Sequence, residues 1–488
     1  MLRAMLRDTL TYTLPAMLSQ GLGLILLPIY ARVLTRDEFG AFDLLLAVTP
    51  IVMIVMSLEI QQGLARLRAD ADAEERRRMT GTAWIACTAG FLVFAVVGLS
   101  APDLWGRLVF GRDDFGGIVR LGVISVTATA AYNVVLNQFR WELRSRTYAL
   151  VSSLYALVTV ALTVVLTVVD RLGLSGVLIS QAVAAVVATA TGLVLLRGSW
   201  QWVVDRTHLR RMLAFSLPLI PASLSVLVTL YFNRVALRAF GDLGDVASYG
   251  VAARLAGFVG LLVIGLQSAV TPLVYDHYRE KETPAQLAHM FSGVIAVCIA
   301  ICVGLNAFAA DLTVVLAGRE YLSSAPLVAL IAPALLMGQL YVFAPGMGIA
   351  LKTRAQLAVA GVAALVDVLV NIALVPWLGA LGASLAAVAS SGAFLGLWVR
   401  ESQKHYPVPF ERRRLVHGLA LFVVGSLAAT IVRTSSAPLD TLGIVAKAAV
   451  ILVCVGLLYR ARLFEGVLAV VRDRTRPATT DPGSRTNG

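Results

Sequence analysis

Charge is what this chain has least of. Only 14% of its 488 residues are Asp, Glu, Lys or Arg, against about 25% in soluble globular proteins. Apolar residues make up 58%, and the mean hydropathy is +0.81. A soluble domain of this size could not cover its surface with so little charge. The same richness in apolar residues excludes a disordered chain, and the absence of a glycine period excludes collagen. Cysteine is scarce as well. Cys87, Cys298, Cys302 and Cys454 all fall inside apolar runs, so no disulfide framework and no zinc spacing is implied. Lysine is rarer still among the cations: of 41 basic residues, only Lys281, Lys352, Lys404 and Lys447 are lysines, a bias of GC-rich bacterial genomes. What remains is an all-α polytopic membrane protein.

A helix needs about 20 mostly apolar residues to cross the hydrocarbon core. That window predicts fourteen spans, near 9–34, 41–65, 81–100, 118–138, 148–169, 175–196, 212–236, 246–274, 287–310, 325–350, 356–376, 379–399, 415–432 and 441–459. The runs are continuous, which excludes the alternating ten-residue strands of an outer-membrane barrel. The first follows Arg3 and Arg7, is too long for a signal-peptide core and reads as a retained anchor. The N-terminus, even-numbered loops and tail hold 29 of the basic residues, and the odd-numbered loops hold 10. Such asymmetry places both termini in the cytoplasm of a plasma (inner) membrane. It also removes nucleic acid as the reason for a net charge of +12. Clusters such as Arg76-Arg77-Arg78 and Arg412-Arg413-Arg414 read as topology signals and anionic-lipid contacts.

No loop is long enough to fold alone. The expected organisation is an N-terminal lobe over 1–211, a C-terminal lobe over 212–400, two further spans over 401–462 and a disordered tail over 463–488. Ala31-Arg32-Val33 and Glu38–Phe42 are echoed by Asn233-Arg234-Val235 and Asp245–Tyr249. The six-span offset preserves orientation, so two lobes facing each other across a central cavity are implied.

The enzyme motifs are weak. Gly346–Thr353 nearly spells a P-loop, but Leu351 stands where the second glycine belongs. Asp70-Ala71-Asp72 is a lone DxD in a charged loop. A membrane-embedded glycosyltransferase or polymerase would use an acidic pair such as Asp37-Glu38 or Asp113-Asp114, yet no outer loop is large enough to cover an acceptor. No cofactor is called for.

Charges at membrane depth face a protein interior or a wet cavity. Arg254 lies about eight residues, roughly 12 Å, into the eighth span. It belongs to the cavity or to an ion pair. Lys447 sits about seven residues into the last span. Arg32, Arg66 and Arg234 stand at span ends, as interfacial anchors or ligand-binding groups. Glu59 and Asp367 are deep carboxyls, candidates for ion or proton coupling or for salt bridges to the arginines. Gln20, Asn133, Asn137, Gln181, Gln267, Gln339 and Asn371 read as hydrogen-bonding groups between helices.

Three segments in order resemble a known family. Leu27-Pro-Ile-Tyr-Ala-Arg-Val-Leu-Thr-Arg-Asp-Glu-Phe-Gly40 is similar to the first helix and turn of bacterial polysaccharide-biosynthesis, O-antigen-type flippases of the multidrug/oligosaccharidyl-lipid/polysaccharide exporter superfamily. Asn233-Arg234 with Val246–Leu255 resembles their seventh-to-eighth helix turn, Asn233 standing where Asp is common. Asn371–Ala383 resembles the next, between helices eleven and twelve. The resemblance implies two helical bundles around a cavity and flipping of an undecaprenyl-diphosphate-linked oligosaccharide. Arg254, Arg32, Arg66, Arg234 and Lys447 would then be candidates for the diphosphate, because cations offset its charge and arginine suits bidentate phosphate contacts. It further implies membrane lipids, a polysaccharide polymerase and glycosyltransferases as partners. A multidrug or lipid II exporter of the same superfamily is the alternative.

Overall fold

A computed structural model of the chain describes residues 23–68, 71–461 and 463. Most of the first expected span, with Gln20, lies outside the described residues, as do Asp70, the Gln267 side chain and the tail. Among the described residues the secondary structure is helical, without strands. We number the main helices α1 (Leu27–Val33), α2 (Arg36–Ser57), α3 (Ile60–Leu67), α4 (Ala73–Ser100), α5 (Gly116–Trp141), α6 (Ser145–Thr163) and α7 (Gly173–Leu195). They continue as α8 (Arg206–Ser216), α9 (Ile220–Phe240), α10 (Leu243–His277), α11 (Thr283–Leu316), α12 (Ala325–Met337), α13 (Thr353–Leu378), α14 (Ala380–Gln403), α15 (Arg412–Ser435) and α16 (Thr441–Arg460). Twelve helical stretches in the described residues are long and apolar enough to cross a membrane. The 35-residue α10 occupies the eighth expected span, and α1 is the described end of the first.

The helix starts are written in the sequence. Thr35 and Glu38 form a reciprocal capping box at α2, satisfying two orphan amides at once. Asp72, Asp205, Asp242 and Asp440 each cap the helix that follows, as short acceptor side chains do. Two breaks were not foreseen: α12 ends at Met337, inside the expected span 325–350, and the second falls nearer the N-terminus. The expected span 41–65 is interrupted at Leu58 and Glu59, whose φ angles are 49° and 52°. Two successive left-handed residues end α2 and start the short α3. Glu59 therefore sits at a helix junction, partly exposed, not in the middle of a spanning helix.

Packing divides the helices. α2, α4, α5, α6 and α7 pack on one another, and α9 to α14 do likewise. The two groups meet where α2 crosses α10 and α9. Here backbone touches backbone: a Cβ at Gly40 would lie 2.0 Å from the Leu243 carbonyl oxygen, so only glycine permits this approach. Arg36 reaches across to the Ser248 hydroxyl at 2.7 Å. The lobes are thus closed against each other at the end that carries the α1–α2 and α9–α10 turns.

α15 and α16 attach to α11 through buried polar groups. Arg433 donates to Asn306 Oδ1 at 2.7 Å and to the Ala325 carbonyl at 3.0 Å. Lys447 Nζ meets both oxygens of Asp311, at 3.0 and 2.7 Å. Around the bundle, Leu157, Val96 and Leu452 are roughly 70% exposed, the surface a lipid phase would wet. The four cysteines are buried and unbonded.

Candidate functional site

α1, α2, α6, α7, α9 and α10 converge on a cavity of about 450 Å³. Its charged lining consists of Asp43 on α2, Arg234 on α9 and Arg254 on α10. Asp43 is 2% exposed and divides its carboxylate between the two arginines. Arg234 Nε donates to Oδ2, and Arg254 Nη2 stands 3.0 Å from Oδ1. The carboxylate belongs to one lobe and both guanidinium groups to the other. Gly250 makes room for it, since a Cβ there would come within 2.7 to 3.0 Å of the carboxyl atoms.

The guanidinium planes rest on aromatic rings. Arg254 lies 4.7 Å from the centroid of Phe39, and Arg234 lies 5.5 and 5.4 Å from Tyr231 and Tyr249. Such cation–π contacts hold the heads in place without neutralising them. Two cations against one anion leave the site with one positive charge in excess. Arg254 Nη1 is buried and donates to nothing among the described residues, so a donor is available for an anion that enters. Tyr30, Tyr155, Thr159 and Gln181 supply the polar remainder of the wall.

The other sequence candidates fall elsewhere. Arg32 donates to the Val315 carbonyl at 2.8 Å, tying α1 to α11 beside the closed end. Arg66 is exposed in the last turn of α3. Lys447, one of the expected diphosphate ligands, does not line the cavity: it is fully buried and held by Asp311. That placement corrects the expectation, because a lysine already bonded to both oxygens of a carboxylate is not available to cargo.

Asp367 is buried in a polar cluster of α9 and α13, where Asn233 precedes the cavity residue Arg234 in the chain. The Asn371 amide donates to Asn233 Oδ1 at 2.9 Å, to the Asp367 carbonyl at 2.8 Å and to Asp367 Oδ2 at 3.3 Å. Asp367 Oδ1 and Asn371 Oδ1 are buried acceptors without a donor among the described residues. A surplus of acceptors is what a proton or small cation completes.

Sequence reasoning missed Asp43 and Asp311. The available signal was an acidic residue at depth for each deep cation; the pairing itself, across 191 and 136 residues, is invisible in a single chain.

The model of a protein family described as "Polysaccharide biosynthesis protein" matches residues 5–276. No curated protein matches the sequence. Among solved structures, the lipid II flippase MurJ in its inward closed conformation superposes with TM-score 0.74 at 10% identity, covering 92% of this chain and 98% of that one. An inward-facing multidrug resistance MATE family transporter of the MOP superfamily gives 0.64 at 17% identity, over 81% and 94%. An outward-facing structure of such a transporter gives 0.55 at 16%, over 81% and 95%. These similarities define the fold.

Proposed function

The chain belongs to the polysaccharide biosynthesis protein family, and we propose that it flips an undecaprenyl-diphosphate-linked oligosaccharide from the cytoplasmic to the outer leaflet by alternating access. The observation that carries this reading is the cavity's excess cation, with an unspent Arg254 donor. A diphosphate cannot cross hydrocarbon unaided, and a guanidinium pair offers it both charge and directed donors.

In this reading Asp43 is the anion that the arginines hold while no cargo is present. A diphosphate displaces it and takes over the bridge between the lobes. Freed of that bridge, α2 and α10 separate at the closed end, and the head group is exposed on the other side. The higher TM-score against the inward-facing than against the outward-facing MATE structure supports the cargo-accepting state, and the basic-residue asymmetry supports a cytoplasmic opening. Asp367, with Asn233 and Asn371, is the site proposed to couple the cycle to an ion or proton. Glycosyltransferases that build the oligosaccharide and a polymerase that consumes it are the partners this reaction requires. Export of an organic cation, the multidrug alternative, is disfavoured by the same excess positive charge.

The test is flipping in proteoliposomes of a fluorescent lipid-diphosphate saccharide, followed by its accessibility to an impermeant quencher. Arg254→Ala should abolish most flipping at normal membrane abundance, and Arg254→Lys should retain part of it, keeping the charge but losing the planar fork. Wild-type flipping by Arg254→Ala overturns the assignment.

A further inference from the structure

A second cavity of about 330 Å³ opens within the first lobe, between α2, α5, α6 and α7. It shares Phe42, Leu46, Tyr155 and Gln181 with the cationic cavity, so the two adjoin. Its lining carries no Asp, Glu, Lys or Arg. It does carry Ser125, Thr129, Asn133 and Gln181, side chains rich in neutral donors and acceptors. Ser125 Oγ stands 3.5 Å from Gln181 Oε1, and Asn133 gives one amide hydrogen to the Thr129 carbonyl at 2.8 Å. One wall is the ring of Tyr155, stacked on Tyr132 with centroids 4.4 Å apart and planes at 16°, which fixes it as a flat apolar platform.

A flat ring beside amides and hydroxyls fits a pyranose, which has an apolar face and an equator of hydroxyl groups. The volume of about 330 Å³ equals about eleven waters at ~30 Å³ each, room for one such ring and its substituents. An acidic sugar would bring a carboxylate into a wall without a cation, and that desolvation is costly.

Resting on the flippase reading, we propose that this cavity is the subsite for the sugar joined directly to the diphosphate, that this sugar is uncharged, and that Asn133 and Gln181 are among its specificity-determining residues. The diphosphate stays with Arg234 and Arg254, and the adjoining pocket reads the first residue. Gln181, placed at the junction, meets both.

The experiment compares three probes by isothermal titration on the purified full-length protein: farnesyl diphosphate, its N-acetylglucosamine conjugate and its glucuronic acid conjugate. The neutral conjugate should bind about tenfold tighter than farnesyl diphosphate, the factor expected of one well-made hydrogen bond. The glucuronic acid conjugate should show no such gain. Asn133→Ala and Gln181→Ala should each reduce the tenfold preference to less than threefold. Equal binding of the three probes by the wild type overturns the subsite, whether or not the variants fold. A gain for the acidic conjugate overturns the neutral-sugar assignment. A preference unchanged in both variants, with farnesyl diphosphate still bound, removes Asn133 and Gln181 from it. Failure of the wild type to bind even farnesyl diphosphate refutes the flippase reading itself, a distinct result.

Discussion

Asp43→Asn separates the two roles given to this carboxylate. The substitution preserves shape and removes the anion that Arg234 and Arg254 share. At about 4 Å and an effective dielectric constant near 20, one such pair is worth about 4 kcal/mol. Cargo must displace that interaction, so the variant should bind anions more tightly. Even a third of the figure, about 1.4 kcal/mol, is a factor of ten in affinity. Two partly buried cations lose their partner at the same time. Breaking a buried pair costs roughly 3–5 kcal/mol, so the variant should melt at a lower temperature. The assay is titration of farnesyl diphosphate into wild type and variant at two ionic strengths, with thermal unfolding of both. The expected result is a Kd at least tenfold lower in a protein that is folded but less stable, with slower turnover because cargo has no carboxylate to evict it. An unchanged or weaker Kd in folded Asp43→Asn would refute the idea that Asp43 competes with cargo.

Two further outcomes follow from the packing. Asp311→Ala alone should cost roughly 3–5 kcal/mol by leaving Lys447 buried and unpaired, whereas Asp311→Leu combined with Lys447→Met should recover most of it; unfolding temperatures check this, and the double variant should flip at the wild-type rate because the pair does not line the cavity. Gly40→Val should destabilise the closed contact between α2 and α10, since its Cβ has no room beside the Leu243 carbonyl; a cysteine pair across that contact should cross-link less often than in the parent.

The span pattern was legible because hydropathy reports the surrounding solvent, and most helices lie close to their apolar runs. The Leu58–Glu59 break was not, because it contains neither glycine nor proline; the short α3 that follows it packs on α8. At the site, Arg254 announced itself by depth and by the absence of a carboxylate one turn away on its own helix. Its partner, on a helix more than 200 residues earlier, is set by tertiary contact alone. Lys447 gave the same depth signal as Arg254 and ended in a different place. Depth distinguishes a costly charge from a cheap one, but what compensates it is a question of which helices touch.

The Lys447–Asp311 pair also bears on how the protein is made. Asp311 leaves the ribosome 136 residues ahead of its counter-ion. At about 5–20 residues per second that is an interval of roughly 7 to 27 s. During it α11 must settle in the bilayer with a carboxyl whose lysine does not yet exist, and Asn306 waits almost as long for Arg433. The last two helices therefore complete the pairing of the buried polar groups of α11. A chain that stops after α14 keeps every residue that lines its cavity yet leaves Asp311 without Lys447 and Asn306 without Arg433, so its eleventh helix is unfinished although its site is whole.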